Sequence, residues 1–233
     1  MSAPFTFKQF VIQQNKSAMK VGTDGVLLGA WATLKEGNLL DVGCGTGLIA
    51  LMLAQRIQNT TIDAIDIEEN AFLEAQLNVK NSCFKNKINI QQSSFQHFFP
   101  SKKYDVIISN PPFFANSYKS IYNERTTARH TNQLTFDDLI DNTLRLLKFD
   151  GTFALILPCN EAAIFIEKAT KKELYLTRKC SVKPNLEKPT KRLLLEFSKQ
   201  SKNHIIEENL VIETNKRHCY TDEYIKLTEA FYL

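Results

Sequence analysis

The chain has no long apolar run, no paired cysteines and little glycine or proline, and each absence excludes something. Nowhere do 18 apolar residues follow one another, so no membrane-spanning helix is expected. The first twenty residues hold no apolar stretch longer than Phe10-Val11-Ile12, so no secretory signal is expected either. Eight Gly and seven Pro in 233 residues, beside 23% charged side chains, exclude the collagen-like and disordered classes. The five cysteines, at 44, 83, 159, 180 and 219, are odd in number and never spaced as C-x-x-C. They fit reduced thiols in a cytoplasm and offer no metal site. The four histidines, at 97, 130, 204 and 218, lack ligand spacing. G-x-S-x-G, H-E-x-x-H and the P-loop are all missing. Ser17-Ala-Met-Lys20 matches S-x-x-K, but neither S-D-N nor K-T-G accompanies it.

What is present suits one domain with a real core, since 43% of the residues are hydrophobic. Apolar patterning alternates strand with helix, which is the signature of an α/β fold. Strands are expected over 38–42, 61–66, 87–91, 104–109 and 151–157, and helices over 48–56, 68–81, 136–147 and 160–171, the last with Asn160 as its cap. Runs such as Leu193-Leu194-Leu195 in the remainder read as strands finishing the sheet at an antiparallel edge. Residues 113–134 show little periodicity and read as a long loop of the kind that is usually functional or disordered. The formal charge of +4 is uneven. Eleven basic residues against three acids between Lys168 and Lys202 put that stretch at +8 and the rest at −4, which makes it a candidate RNA-facing surface or an ordinary solvated face.

Two turns carry the chemistry. Asp41-Val-Gly43-Cys-Gly45-Thr-Gly47 closes an expected strand and opens a helix, where an α/β sheet receives nucleotide-like ligands. The spacing G-x-G-x-G departs from the dinucleotide fingerprint, whose third glycine would fall on Leu48. Asp41 would repel a phosphate and suits an amine or a sulfonium. Asp66, 19 residues beyond Gly47, can accept both hydrogen bonds of a ribose diol. The competing reading is a plain glycine turn with an acid capping the next helix. Asn110-Pro111-Pro112-Phe113 follows the strand over 104–109. Two prolines hold the backbone, so the Asn oxygen and nearby carbonyls form rigid acceptors beside an aromatic ring. Two acceptors on the hydrogens of a planar nitrogen help localise its lone pair, so positioning can carry a methyl transfer without a strong base. A purely structural Pro-Pro turn is the alternative.

These motifs resemble the class I adenosylmethionine-dependent methyltransferases that act on planar nitrogens. The block Phe5-Thr-Phe-Lys-Gln-Phe10, then Ala18-Met-Lys-Val-Gly-Thr-Asp-Gly-Val-Leu-Leu-Gly-Ala-Trp31, is similar to the bacterial tRNA1(Val) adenine-37 N6-methyltransferases. So are Ala128-Arg129-His130 and the ending Tyr220-Thr-Asp-Glu-Tyr…Phe231-Tyr-Leu233. The resemblance implies a Rossmann-like, seven-stranded, mostly parallel sheet with helices on both faces. It implies one domain over 1–233, with residues 1–30 an appendage closing the pocket. It further implies S-adenosyl-L-methionine as cofactor, held by Thr23, Asp24, Asp41, Gly43, Gly45, Gly47 and Asp66. Many such enzymes place an acid after the third strand to meet the cofactor adenine. Here the stretch is Gln92-Ser93-Ser94-Phe95, so Ser94 and Phe95 are the candidates there. Asn110, Pro111, Pro112 and Phe113 would form the catalytic turn. Lys20, Phe114, Arg125, Arg129 and His130 would meet substrate, with Tyr118 and Tyr122 as further stacking candidates. The implied enzyme is a cytoplasmic, metal-free monomer acting on tRNA. Its rivals are methylation of guanine N2 in ribosomal RNA or of a release-factor glutamine amide, and a non-catalytic RNA-binding protein.

Overall fold

A computed structural model describes residues 3–112 and 134–233. Phe5–Thr6 (β1) and Val11–Ile12 (β2) pair antiparallel as a short ribbon. There follow α1 (Thr23–Trp31), β3 (Gly37–Val42), α2 (Leu48–Arg56), β4 (Thr60–Asp66), α3 (Glu69–Lys80) and β5 (Ile88–Gln92). A 3-10 turn over Phe95–His97 leads to β6 (Tyr104–Ser109). After the Asn-Pro-Pro segment come α4 (Phe136–Leu146), β7 (Leu147–Pro158), α5 (Cys159–Lys171), β8 (Tyr175–Lys183), β9 (Arg192–Ser198), β10 (Ile206–Val211) and α6 (Asp222–Thr228). β3 to β10 form one sheet in the order β10-β8-β9-β7-β6-β3-β4-β5.

The α/β expectation holds, with eight strands in the main sheet among the described residues where seven were expected. The extra one is β10, which pairs in parallel with β8 at the edge. The antiparallel strand is β9, and it lies inside the sheet between β7 and β8. Burial explains the exchange. Leu194, Leu195 and Phe197 of β9 are fully buried, so it gains from neighbours on both sides. β10 carries Glu207 and Glu208, charges that suit an edge open to water. α5 starts one residue before the expected cap, because Pro158 ends β7 and itself occupies the N-cap position. None of the described helices is long and apolar enough to cross a membrane.

The central strands are apolar on both faces and feed two cores. Leu39, Ile62, Val106, Ile108, Ala154 and Ile156 face α1, α2 and α3. Leu40, Ile65, Ile107, Phe153, Leu155 and Leu157 face α4 and α5. α1 is part of the first core, with Gly25 to Trp31 all buried. Its Gly25-x-x-x-Gly29 face lets it lie against α2. A Cβ on Gly29 would come within 2.8 Å of Met52 Sδ, and one on Gly25 within 3.1 Å of Leu48 Cδ2. The close approach sets the start of α1 beside the carboxyl ends of β3 and β6.

Candidate active site

Three glycines shape the turn after β3. Gly43, Gly45 and Gly47 have φ of +70°, +56° and +80°, a region that strains any side chain. A Cβ on Gly43 or Gly45 would meet nothing within 4 Å, so the turn borders open space that a ligand can enter. Gly47 serves packing instead, since a Cβ there would stand 3.4 Å from Ala75 Cβ of α3. The amides of Gly43 and Cys44 donate to the Ile65 carbonyl at 2.9 and 3.0 Å, and the Gly45 amide donates to Asp66 Oδ2 at 2.8 Å. Asp66 Oδ1 accepts from the Glu68 amide at 3.0 Å. One backbone donor on each oxygen fixes the carboxylate and leaves each a lone pair for a ligand hydroxyl.

Asp41 lies beneath this turn with no exposed surface. It shares a face of β3 with Leu39, and its Oδ2 accepts the Ala50 amide in the first turn of α2 at 3.1 Å. Its Oδ1 has no partner among the described residues. Burial pushes the carboxyl from 3.8 up to about 7; the Ala50 bond opposes this, and the charge of Asp66 adds to it. A cationic ligand group would restore the charged form. Burial, then Asp41 and Asp66, push the Cys44 thiol well up, so it is an inert neighbour rather than a nucleophile.

Asn110 sits one strand away. β6 pairs with β3 in parallel, Ser109 opposite Val42, and the Ser109 hydroxyl donates to the Val42 carbonyl at 2.9 Å. The next residue, Asn110, holds a buried Oδ1 that has no hydrogen-bond partner among the described residues. Its Nδ2 lies 3.9 Å from where a Gly25 Cβ would stand. Pro111 is buried and Pro112 exposed. Neither has an N–H, so the turn presents oxygen acceptors and no backbone donor from those two residues. Four buried side-chain polar atoms lack partners among the described residues, and two of them, on Asp41 and Asn110, are at the carboxyl ends of these adjacent strands. Native structures satisfy most such atoms, so an orphaned pair points to a ligand that supplies donors.

The remaining expected residues fall out differently. Asp24, at the start of α1, accepts from Arg192 Nε at 2.8 Å, so its carboxylate is engaged by β9. Thr23 and Lys20 are exposed near it in sequence. The Ser94 hydroxyl accepts the His97 amide at 3.3 Å and meets His97 Nδ1 at 2.9 Å, capping the 3-10 turn. Phe95 is 3% exposed and packs in the core with Leu40 and Ile65, so its ring lies under the site rather than facing it. Phe113, Phe114, Tyr118, Tyr122, Arg125, Arg129 and His130 lie outside the described residues.

The basic stretch does not form one surface. Lys168, Lys171, Lys172, Arg178, Lys179 and Arg192 are in ion pairs with acids of the same chain, and Lys199 donates to the Leu147 carbonyl.

Sequence reasoning missed Glu74 and Asn78. Glu74, 3% exposed, accepts the amides of Asn15, Lys16 and Ser17 at 2.6, 2.9 and 2.8 Å. Asn78 donates to the carbonyls of Gln13 and Thr46, both at 2.9 Å, and accepts the Gln13 amide at 2.8 Å. Together they pin the N-terminal segment to the glycine turn. The signal was available: positions 71, 74, 75, 78 and 79 form the buried stripe of α3, and two of the five are polar.

Comparison with known proteins identifies the family. Residues 16–158 match the family model of the methyltransferase small domain. A tRNA1(Val) (adenine(37)-N6)-methyltransferase of Flavobacterium psychrophilum is 44% identical over 233 residues, covering 98% of this chain and 99% of its own. One from Trichodesmium erythraeum is 45% identical over 234 residues, covering 98% and 97%. Among solved structures, a predicted O-methyltransferase from Agrobacterium tumefaciens superposes with a TM-score of 0.72 at 17% identity, over 89% of this chain and 96% of its own. The glycopeptide N-methyltransferase MtfA, complexed with S-adenosyl-L-methionine, gives 0.57 at 10% identity, over 75% and 94%. These two show a shared methyltransferase fold.

Proposed function

Because the chain belongs to the family of the tRNA1(Val) (adenine(37)-N6)-methyltransferases, we propose that it transfers a methyl group from S-adenosyl-L-methionine to the exocyclic N6 of adenine 37 in the anticodon loop of that tRNA. The observation that carries the reading is the pair of donor-seeking oxygens, Asp41 Oδ1 and Asn110 Oδ1, on adjacent strands across an open glycine turn. When bound, the cofactor supplies an electrophilic methyl on a sulfonium, beside a cationic amine and a ribose diol. Asp41 is suited to the cationic end and Asp66 to the diol, with Gly43 and Gly45 leaving room between them.

On the substrate side, Asn110 Oδ1 and the Pro111 carbonyl would each accept one hydrogen of the N6 amine. That holds the amine in one orientation and raises the electron density of its lone pair toward the methyl. A turn offering acceptors favours an amine over a ring carbonyl, which would need a donor. Phe113 would stack on the flipped base, since an adenine in a loop must leave its stack to be reached. The N-terminal segment held by Glu74 and Asn78, with Thr23, would close the pocket. We take the enzyme to be a cytoplasmic monomer that needs no metal, because the sulfonium already provides the leaving group and the five cysteines are free thiols where described.

The test is incubation of the purified protein with methyl-labelled cofactor and, separately, bacterial tRNA, ribosomes and release factor. Label recovered as N6-methyladenosine from tRNA is expected. Label confined to guanine of ribosomal RNA or to a glutamine amide would replace this reading with another planar-nitrogen substrate, and no label in any of the three would leave a binding protein.

A further inference from the structure

The carboxyl edge of the sheet is unequal on the two sides of Asn110. On the β3–β4 side lie Asp41, Asp66, Glu68 and Glu69. On the β7–β10 side two loops meet. One joins β8 to β9 over residues 184–191, and the other follows β10 over 212–220. They are laid side by side by backbone bonds, from the Ile212 amide to the Lys183 carbonyl at 3.0 Å and from the Glu213 amide to the Pro184 carbonyl at 2.9 Å. Within the second loop the Thr214 amide donates to the Cys219 carbonyl at 2.7 Å, and Glu213 bridges Tyr220 across it.

The end of β8 and the two loops carry five cations, Lys183, Lys188, Lys191, Lys216 and Arg217, against two acids, Glu187 and Glu213, a net of +3. None of these five side chains makes an ion pair or a side-chain hydrogen bond among the described residues, and all but half-buried Lys183 are exposed. Unpaired lysines occur elsewhere among the described residues too, Lys20, Lys80 and Lys85 among them, so the informative point is that five unpaired cations gather at this edge while their neighbours in sequence are neutralised. Lys168, Lys171, Lys172, Arg178, Lys179 and Arg192 all answer an acid of the same chain. Beside the unpaired group, Tyr220 is 43% exposed and stacks on Tyr224 with ring centroids 5.0 Å apart, a flat surface of the kind on which bases rest. The loops belong to strands two to four places from β6. At about 4.8 Å per strand they lie roughly 10 to 20 Å from Asn110.

We propose that this double loop, Lys183 to Lys191 with Lys216, Arg217 and Tyr220, is the surface that grips the tRNA backbone while the target adenine is in the Asn110 turn. The proposal rests on the tRNA reading above and adds where the polynucleotide lies: over the β7–β10 half of the edge, away from the acids of the cofactor half. Unpaired cations beside a reactive turn suit a polyanion, because each phosphate they neutralise releases counterions without first breaking an internal ion pair.

The test compares two sets of neutralising substitutions in the full chain. The first is Lys188→Gln, Lys191→Gln, Lys216→Gln and Arg217→Gln together. The second, a control at the far end of β8, is Lys168→Gln, Lys171→Gln and Lys172→Gln. In the first, KM for tRNA should rise tenfold or more at physiological salt, with kcat at saturating tRNA within twofold of wild type. The slope of log affinity against log salt should flatten by about three, at roughly 0.7 to 0.9 for each phosphate that is no longer neutralised. Cofactor affinity by calorimetry should not move, which separates lost docking from lost folding. The control set should keep the wild-type KM and slope. Wild-type methylation of tRNA with an unchanged KM and slope in the first set would overturn the surface and leave the enzyme reading intact. Equal losses in both sets would also overturn it. A wild type that methylates no tRNA would overturn both.

Discussion

Replacing Asp41 by asparagine tests the site from the inside, because the same carboxyl is linked to stability and, on the proposed function, to binding. It is fully buried and holds its proton up to about pH 7, whereas in the unfolded chain it loses it near 3.8. That gap corresponds to about 4 kcal/mol. Between pH 4 and 7 the folded protein binds a proton that the unfolded chain has released, so this group makes the cofactor-free protein less stable as pH rises through the window. Above 7 the effect is constant. Asparagine keeps the shape and can accept the Ala50 amide, but carries no charge. The cofactor-free variant should therefore exceed wild type in unfolding free energy by up to about 4 kcal/mol at pH 8, and by about 1 kcal/mol at pH 4.5. The other carboxylates titrate alike in both proteins and cancel in the difference. Binding should move the opposite way. A lost hydrogen bond to a charged acceptor costs about 1.5–3 kcal/mol, so cofactor affinity should fall roughly ten- to a hundredfold. Wild-type affinity should strengthen from pH 5.5 to 7, with protons released on binding. Urea unfolding at the two pH values and calorimetry in buffers of different ionisation enthalpy measure all of this. An equal stability difference at both pH values, or an affinity flat from 5.5 to 7, would refute the reasoning.

Two further outcomes are expected. Asn110→Ala should lower kcat for tRNA methylation by about 10²–10³, as removal of one preorganised polar group does elsewhere, and leave cofactor affinity within twofold; wild-type turnover would remove Asn110 from the reaction. Glu74→Gln should lower the unfolding free energy by about 2 kcal/mol, since three backbone amides lose a charged acceptor. The same change should speed hydrogen exchange at Asn15, Lys16 and Ser17, and unaltered exchange there would show that the clamp holds nothing.

Local pattern accounts for what the sequence made legible. The glycine turn, the acid 19 residues on and the Asn-Pro-Pro turn each sit within a few residues of a strand end, and strand ends follow from apolar runs. Periodicity located β3 to β7 and α2 to α5 to within a few residues for the same reason. What escaped depends on partners far away in the chain. Asp24 meets Arg192 across 168 residues, and Glu74 holds amides 57 to 59 residues before it. Phe95 reads as a pocket residue beside a strand end, yet a 3-10 turn capped by Ser94 directs it into the core. Likewise, no run of residues announces that β9 will insert between β7 and β8. Its three consecutive leucines say only that both faces will be covered.

The charge pattern shows why adjacency in sequence misleads here. Lys172 and Lys183 are eleven residues apart, but β8 carries the chain across the sheet between them, about 25 Å at 3.3 Å per residue. Lys183 and Arg217 are 34 apart in sequence, yet the end of β8 and the loop after β10 are joined by backbone bonds. A +8 summed over 168–202 therefore mixes cations that are neutralised by acids of the same chain with cations left free at the reactive edge. The division has a chemical consequence. If the free lysines stood beside Asp41 or Asp66, they would pair with them, and the proposed sulfonium and polyanion sites would both be neutralised. The strand order keeps them apart, with carboxylates at β3 and β4, a net positive pair of loops after β8 and β10, and between them at β6 the uncharged turn of acceptors where the proposed function has the two substrates meet. Arg192, at the start of β9 two strands from β6, is the cation between the two halves, and it is paired with Asp24 at 2.8 Å.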